Sequence, residues 1–259
     1  MNNILVITSI VLKELIRRKD AYVLLIITAL LTILAGSVHF FGDLKMVRYV
    51  KELCLLLVWI STIVIAVALT ARQLHAERES RTLFSLLSKP VSRNELILGK
   101  FFGCWFACGL ALLVFYLFFV ITAVSRGEHW RLLEHFQALW AHWIMLGVIV
   151  AMVLAGSLLF TAPSSNATIN IVIIVFILML GRHLGKVALH MTGVKQTVTL
   201  AVFYAMPHLE FYDLRDLIIH DWPLVKWNAI GLATLYGVAY GAAFLGLACF
   251  LFRRKPLNA

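Results

Sequence analysis

The sequence predicts an all-α integral membrane protein with six transmembrane helices, and three observations carry that prediction. Of its 259 residues 62% are apolar and only 14% charged, with a mean hydropathy of +0.92; a soluble domain carries about 25% charge. Six stretches, roughly 21–41, 50–71, 96–124, 138–161, 168–189 and 227–252, approach the ~20 apolar residues needed to cross a ~30 Å hydrocarbon core. The charges fall almost entirely between those stretches. In lipid each backbone amide must find its partner within the segment, which selects helices over open sheets. With no soluble stretch of useful size, residues 1–259 read as one transmembrane domain.

Residues 2–20 end in Lys13-Glu14-Leu15-Ile16-Arg17-Arg18-Lys19-Asp20. The stretch is too short and too charged to span, and reads as an interfacial helix feeding the first span. Orientation follows from the basic residues. With the N-terminus inside, the inner segments hold 13 basic residues against five acids, and the outer segments 10 against eight. The positive-inside rule therefore puts both termini in the cytoplasm, in agreement with an even number of spans. The fifth span is the least regular. Its purely apolar part ends at Gly181, and Arg182 and Lys186 follow, so its outer end is expected to leave the lipid early or break.

Outside lie a short turn at 42–49, a loop at 125–137 and a long stretch at 190–226. In the last, apolar residues at 209, 211, 212, 214, 217 and 218 recur at helical spacing. They predict a short amphipathic helix on the outer surface, opened by Pro207 and closed by Trp222-Pro223, with Trp222 and Trp227 as interface anchors.

No Asp, Glu, Lys or Arg occurs at 53–71, 101–125, 138–181 or 227–252. Ion-coupled carriers retain costly ionisable residues at mid-bilayer, so this emptiness argues against a carrier or channel. Energy must enter from outside the spans. Gly181-Arg182-His183-Leu184-Gly185-Lys186 resembles a phosphate loop only faintly: it is one residue short and lacks the Ser/Thr after Lys. Gly156-Ser157 has no His or Asp base to activate a serine, and reads as a small-residue helix contact. The four cysteines all fall in apolar runs and read as small buried hydrophobes, Cys104 and Cys108 included. Nine histidines invite a metal reading, but sequence brings no ligand set together.

The densest charge lies at 72–100, with six basic residues and three acids. From Glu77 to Leu87 the residues favour helix, and Leu83, Leu86 and Leu87 form an apolar stripe beside Phe84. Lys89-Pro90 stops that helix. Ser92 and Glu95 form a capping box that starts the next span. A short amphipathic helix, a rigid stop and a rigid restart make a lever that a cytosolic partner can push.

The run Glu77-Arg78-Glu79, Thr82-Leu83, Leu86-Leu87-Ser88, Pro90-Val91-Ser92-Arg93, Glu95 and Gly99-Lys100 resembles the signature of ABC-2 type permeases, six-span membrane subunits of ATP-binding-cassette transporters. The similarity extends to those of nitrous-oxide-reductase maturation and gliding motility. Lys13-Glu14 with Arg17-Arg18-Lys19 matches the family's elbow, and Met206-Pro207 with Phe211 and Asp213 its outer segment. Arg81 departs from the family, which often has Gly before the threonine, and alters the surface offered there. The resemblance implies a dimer, homodimeric or paired, of permeases bound to two ATPase subunits in a prokaryotic cytoplasmic membrane. It implies a coupling helix presenting Glu77, Arg78, Glu79, Arg81, Thr82, Leu83, Phe84, Leu86, Leu87, Ser88 and Pro90 to the ATPase. No catalytic residue, cofactor or metal is expected on this chain; ATP and magnesium belong to the partner. Export or mechanical transmission is the implied work. The rival readings are a structural anchor relaying force to a periplasmic protein and a secondary carrier or channel. Nucleic acid is not an expected partner.

Overall fold

The computed structural model describes residues 3–17, 26, 30, 44–79, 92–124 and 131–254. Its helices are α1 (Asn3–Arg17), α2 (Leu44–Glu79), α3 (Arg93–Val124), α4 (Leu132–Leu159), α5 (Pro163–Leu189), α6 (Val194–Ala205), α7 (Arg215–Ile219) and α8 (Trp227–Arg254), with a 3₁₀ turn at Leu209–Tyr212. No strand occurs among the described residues. Among the described residues five helices are long and apolar enough to cross a membrane: α2, α3, α4, α5 and α8. The first expected span, 21–41, lies outside the described residues apart from Ile26 and Leu30, which are helical and exposed.

α4 is the hub. It contacts α2, α3, α5, α7, α8 and the 3₁₀ turn, and 83% of its most apolar window is buried. A helix apolar on every side finds its place in such a centre. The outer helices divide their faces instead. On α3, Cys104, Cys108, Leu112, Phe115 and Phe119 point inward, while Leu110, Leu113, Leu117 and Ile121 form an exposed apolar stripe suited to lipid. Cys54, Cys104 and Cys108 are buried, as expected of small hydrophobes.

α1 lies against α3. A Cβ at Gly99 would stand 2.6 Å from Ile7 Cβ, and one at Gly103 2.6 Å from Val11 Cβ. Two glycines one turn apart thus let the helices approach closely, and Thr8 Oγ1 donates to the Gly99 carbonyl at 3.1 Å. Leu5 and Ile10 on the opposite face of α1 stay exposed.

Several boundaries differ from the sequence reading because distant residues supply partners. α2 begins at Leu44, so most of the expected 42–49 turn is helical. Its charges are met by the outer segment: Lys51 Nζ reaches the Ile218 carbonyl at 3.5 Å and Asp221 at 3.8 Å, and Arg48 meets His220 at 3.2 Å. α4 begins at Leu132, where Gln137 exchanges hydrogen bonds with the Val225 backbone at 2.9 and 3.1 Å. α5 does not break after Gly181 but runs on to Leu189, where α6 folds back along it with the Phe203 ring over Gly185; its membrane-length apolar part does end at Gly181, as expected.

The outer stretch is a further correction. Residues 209–219 form a 3₁₀ turn and a five-residue helix, not one helix, and turn most of their apolar side chains inward, Phe211 excepted. Leu209, Tyr212, Leu217, Ile218 and Ile219 are all buried. Tyr240 donates to the carbonyls of Tyr204 and Met206 at 3.1 and 3.3 Å. Tyr240 lies 13 residues into α8, about 20 Å from its outer end. α6 therefore descends beside the bundle instead of resting on its surface.

Candidate functional site

The candidate coupling residues divide at the edge of the described residues. Glu77, Arg78 and Glu79 continue α2 as its last helical turn. Arg81, Thr82, Leu83, Phe84, Leu86, Leu87, Ser88 and Pro90 lie outside the described residues. The side chains flanking that loop are described up to His75 and again from Ser92.

The exit joint is a closed capping box. Glu95 Oε2 accepts from the Ser92 amide at 2.7 Å and from Ser92 Oγ at 2.9 Å, while the Glu95 amide donates to Ser92 Oγ at 3.2 Å. Such a cap satisfies two otherwise unpaired amides, and its carboxylate also suits the positive end of the helix dipole. Two more elements are tied to the same turn. Asn3 Nδ2 donates to Glu95 Oε1 at 3.4 Å, linking α1. Arg93 Nη1 donates to the carbonyls of Phe252 and Arg253 at 2.8 and 3.2 Å, so its guanidinium caps the C-terminus of α8 and sits 5.6 Å from the Phe252 ring centre. Arg253 Nε answers with a 3.3 Å bond to Asn94. The beginnings of α1 and α3 and the end of α8 thus meet at one end of the molecule.

The entry joint is buried and polar. Lys100, which sequence counts as a loop charge, is only 1% exposed. Its Nζ points between helices and donates to the Gln73 carbonyl at 3.2 Å and to Gln73 Oε1 at 3.4 Å. The reading that no ionisable group faces the bundle is corrected here: a lysine stem can lie along apolar helices if oxygens receive its head. Two residues on, His75 is buried with Nδ1 3.0 Å from the Ala71 carbonyl and Nε2 3.0 Å from that of Phe160, in the turn between α4 and α5. Beyond that turn, Asn166 donates to Ser157 Oγ at 2.8 Å and to the Val153 carbonyl at 3.2 Å, and Asn170 donates to Asn166 Oδ1 at 2.7 Å. Gly156 leaves the space these amides occupy. The expected small-residue contact at Gly156-Ser157 is therefore a polar one. A seam of polar contacts runs from α3 through the end of α2 to α4 and α5.

A second group of charges gathers towards the outer ends. Arg215 grips Asp213 bidentately, at 2.7 Å through Nε and 2.9 Å through Nη2, and lies 4.8 Å from the Trp59 ring centre on α2. Burial works against the arginine's charge, but the bonds to Asp213 and its proximity outweigh this and raise the guanidinium above its ordinary pKa. His208 Nδ1 lies 3.2 Å from Glu210 Oε1, and Glu210 Oε2 is buried without a hydrogen-bond partner. Sequence reading placed these residues in an outer surface helix; the buried faces of Tyr212 and Leu217 draw them inward. Among the described residues the remaining histidines do not gather. His142 pairs with Thr62 and His135 stacks on Phe119. Among the described residues no three His, Cys, Asp or Glu side chains stand as a metal set.

The described geometry offers two joints beside a charged loop, locked to α1, α4, α5 and α8. A family model described as ABC-2 family transporter protein matches residues 8–257. No curated protein matches the chain.

Proposed function

The chain belongs to the ABC-2 family of transporter proteins, and on that premise we propose that it couples ATP hydrolysis on a separate ATPase subunit to export or mechanical transmission across the membrane. It is a multi-pass transmembrane permease of an ATP-binding-cassette transporter. Residues 77–90 dock into the ATPase, which carries the ATP and magnesium. Two copies pair, both termini face the cytoplasm of a prokaryotic cell, and the outer segment is free to engage a periplasmic protein.

The observation that supports this reading best is the exit joint. A push on the loop arrives at Ser92–Glu95, where the capping box, the Asn3 contact and the Arg93 clamp hand it to α3, α1 and α8 together. A loop merely lying on headgroups has no need of three ties at its end. The purified complex with its ATPase tests the proposal. Charged replacements at Leu83, Phe84 or Leu87 are expected to abolish copurification or coupled turnover while membrane insertion persists. Normal copurification and turnover in all three would overturn it.

A further inference from the structure

His208 and Glu210 lie far from either end of the helices that hold them. The His208 amide donates to Tyr236 Oη at 3.1 Å. Tyr236 is nine residues into α8, about 14 Å from its outer end, and α8 has no Asp, Glu, Lys or Arg before Arg253. A Cβ at Gly237 would meet both Tyr212, on the same turn as Glu210, and Ile144, twelve residues and about 18 Å into α4. Half of a ~30 Å core is about 15 Å, so both helices place the pair deep in the outer half of the membrane.

The two side chains are only 7% and 9% exposed, and His208 Nδ1 lies 3.2 Å from Glu210 Oε1. The second oxygen, Oε2, is closed off without a hydrogen-bond partner. Bare backbone lies against it: a Cβ at Gly181 of α5 would stand 2.5 Å from both carboxylate oxygens. The imidazole is ringed by Phe203 at 4.4 Å, Phe211 at 5.1 Å and Tyr236 at 6.4 Å. The ionisable neighbours are engaged or exposed. Asp213 and Arg215 hold one another, Tyr212 bonds the Ala233 carbonyl, and Tyr236 and Tyr240 bond that of Met206. His142 of α4 pairs with Thr62. On α5 His183 and Lys186 are exposed, with Arg182 next to Gly181, and Lys195 of α6 is exposed.

Ionisable groups at such depth are costly and mark what a membrane protein binds. We propose that His208 and Glu210 form an intramembrane proton-binding site, which holds residues 203–212 against α5 and α8 while the pair carries a single proton. The ligand is a proton because an occluded oxygen packed on backbone leaves room for nothing larger. With one proton between Nδ1 and Oε1 the pair is neutral. A second, taken from the outer solution, converts the Glu210 carboxylate to a carboxylic acid beside an imidazolium, a net positive charge among the rings. Release of the shared proton leaves a neutral imidazole and a carboxylate whose Oε2 has no donor. Either step buries one uncompensated charge and loosens the turn. The inference rests on α4 and α8 crossing the membrane, and no ATPase enters it.

The test is a pH titration of the purified permease in detergent, followed by NMR of isotope-labelled histidines. The His208 signal is identified by its loss in His208→Gln. In the wild type it is expected to move in two steps, because coupled groups titrate as a pair. Glu210→Gln keeps the shape, removes one titrating partner and should leave a single step. The buried His142 signal should hold its position in both proteins, which shows the variant to be folded. Hydrogen exchange at 203–212, corrected for its intrinsic pH dependence, is expected to be slowest between the two steps. In His208→Gln/Glu210→Gln the corrected exchange should be flat. If Glu210→Gln displaces His142, the wild-type steps and the exchange minimum decide. A single wild-type step matching the exposed His183 and His190, an unchanged His208 curve in folded Glu210→Gln, or exchange without a minimum would each overturn the site. Because no ATPase takes part, failure here leaves the permease assignment standing.

Discussion

Trp105 of α3 and Trp143 of α4 pass one another reciprocally, each indole lying over the glycine one turn along from its own backbone partner. The rings stack at 4.6 Å and 17°, Trp105 Nε1 donates to the Trp143 carbonyl at 2.9 Å, and Trp143 Nε1 to that of Trp105 at 3.4 Å. A Cβ at Gly109 would stand 2.6 Å from Trp143 Nε1, and one at Gly147 2.9 Å from Trp105 Nε1. Both helices therefore carry Trp-x-x-x-Gly, and antiparallel packing brings each tryptophan onto the other's glycine.

Gly109→Ala should accordingly push Trp143 off its stack. Overpacking of this kind costs about 1–3 kcal/mol. Trp143→Phe should cost less, about 1 kcal/mol, because it loses the N–H bond and keeps a ring. Thermal unfolding in detergent ranks the two; the opposite order would mean that the indole bond, not the glycine gap, holds α3 to α4.

The Arg93 clamp yields a second expectation. Arg93→Ala removes two bonds to carbonyls at the end of α8 and the cation facing its negative dipole end, together worth about 1–2 kcal/mol. Arg93→Lys should recover only part, since a point charge cannot spread over two carbonyls as a planar fork does. Hydrogen exchange at 245–254 measures this, with faster exchange expected in Ala than in Lys and in Lys than in wild type.

Asn166 is the third case. Asn166→Leu leaves Ser157 and Asn170 without a shared partner, and polar contacts between membrane helices are worth about 0.6–2 kcal/mol. Ser157→Ala removes one contact of several and should cost less. A smaller melting shift for Asn166→Leu than for Ser157→Ala would show that the amides do not hold α5 to α4.

These particular residues mark how far the sequence could be read. Ser92 and Glu95 are three residues apart, so their box is a local pattern and visible without a structure. Five of the expected spans were visible for the same reason, as continuous apolar runs. Lys100 was misread because charge alone says nothing of what it faces; Gln73 sits 27 positions away. α6 went unseen because Val194, Val198 and Val202 share one helix face with polar neighbours, and that face stays exposed, so it mimics a loop. Arg215 and Asp213 looked like surface charges until Trp59, far away in sequence, closed over them. What was hidden was long-range partnership, which periodicity does not record.

His75 gives the last expectation, and its chemistry sets the design. Both ring nitrogens face carbonyl oxygens, at 3.0 Å each. A neutral imidazole has one N–H and can donate to only one of them; donating to both requires the imidazolium. The contact with Phe160 is the one that joins α2 to the α4–α5 turn, so the ring ties the helix leading into residues 77–90 to α5. His75→Ala should cut that tie and His75→Gln keep part of it, because a side-chain amide carries two donor hydrogens. The measurement is nucleotide-dependent protection of α5 from hydrogen exchange in the complex with its ATPase. Loss in Ala, partial retention in Gln and unchanged ATPase binding in both would make His75 a positioning residue for transmission. Equal protection in all three proteins would confine it to stabilising the end of α2, and then only the melting temperature should move, by the few degrees that about 1 kcal/mol implies.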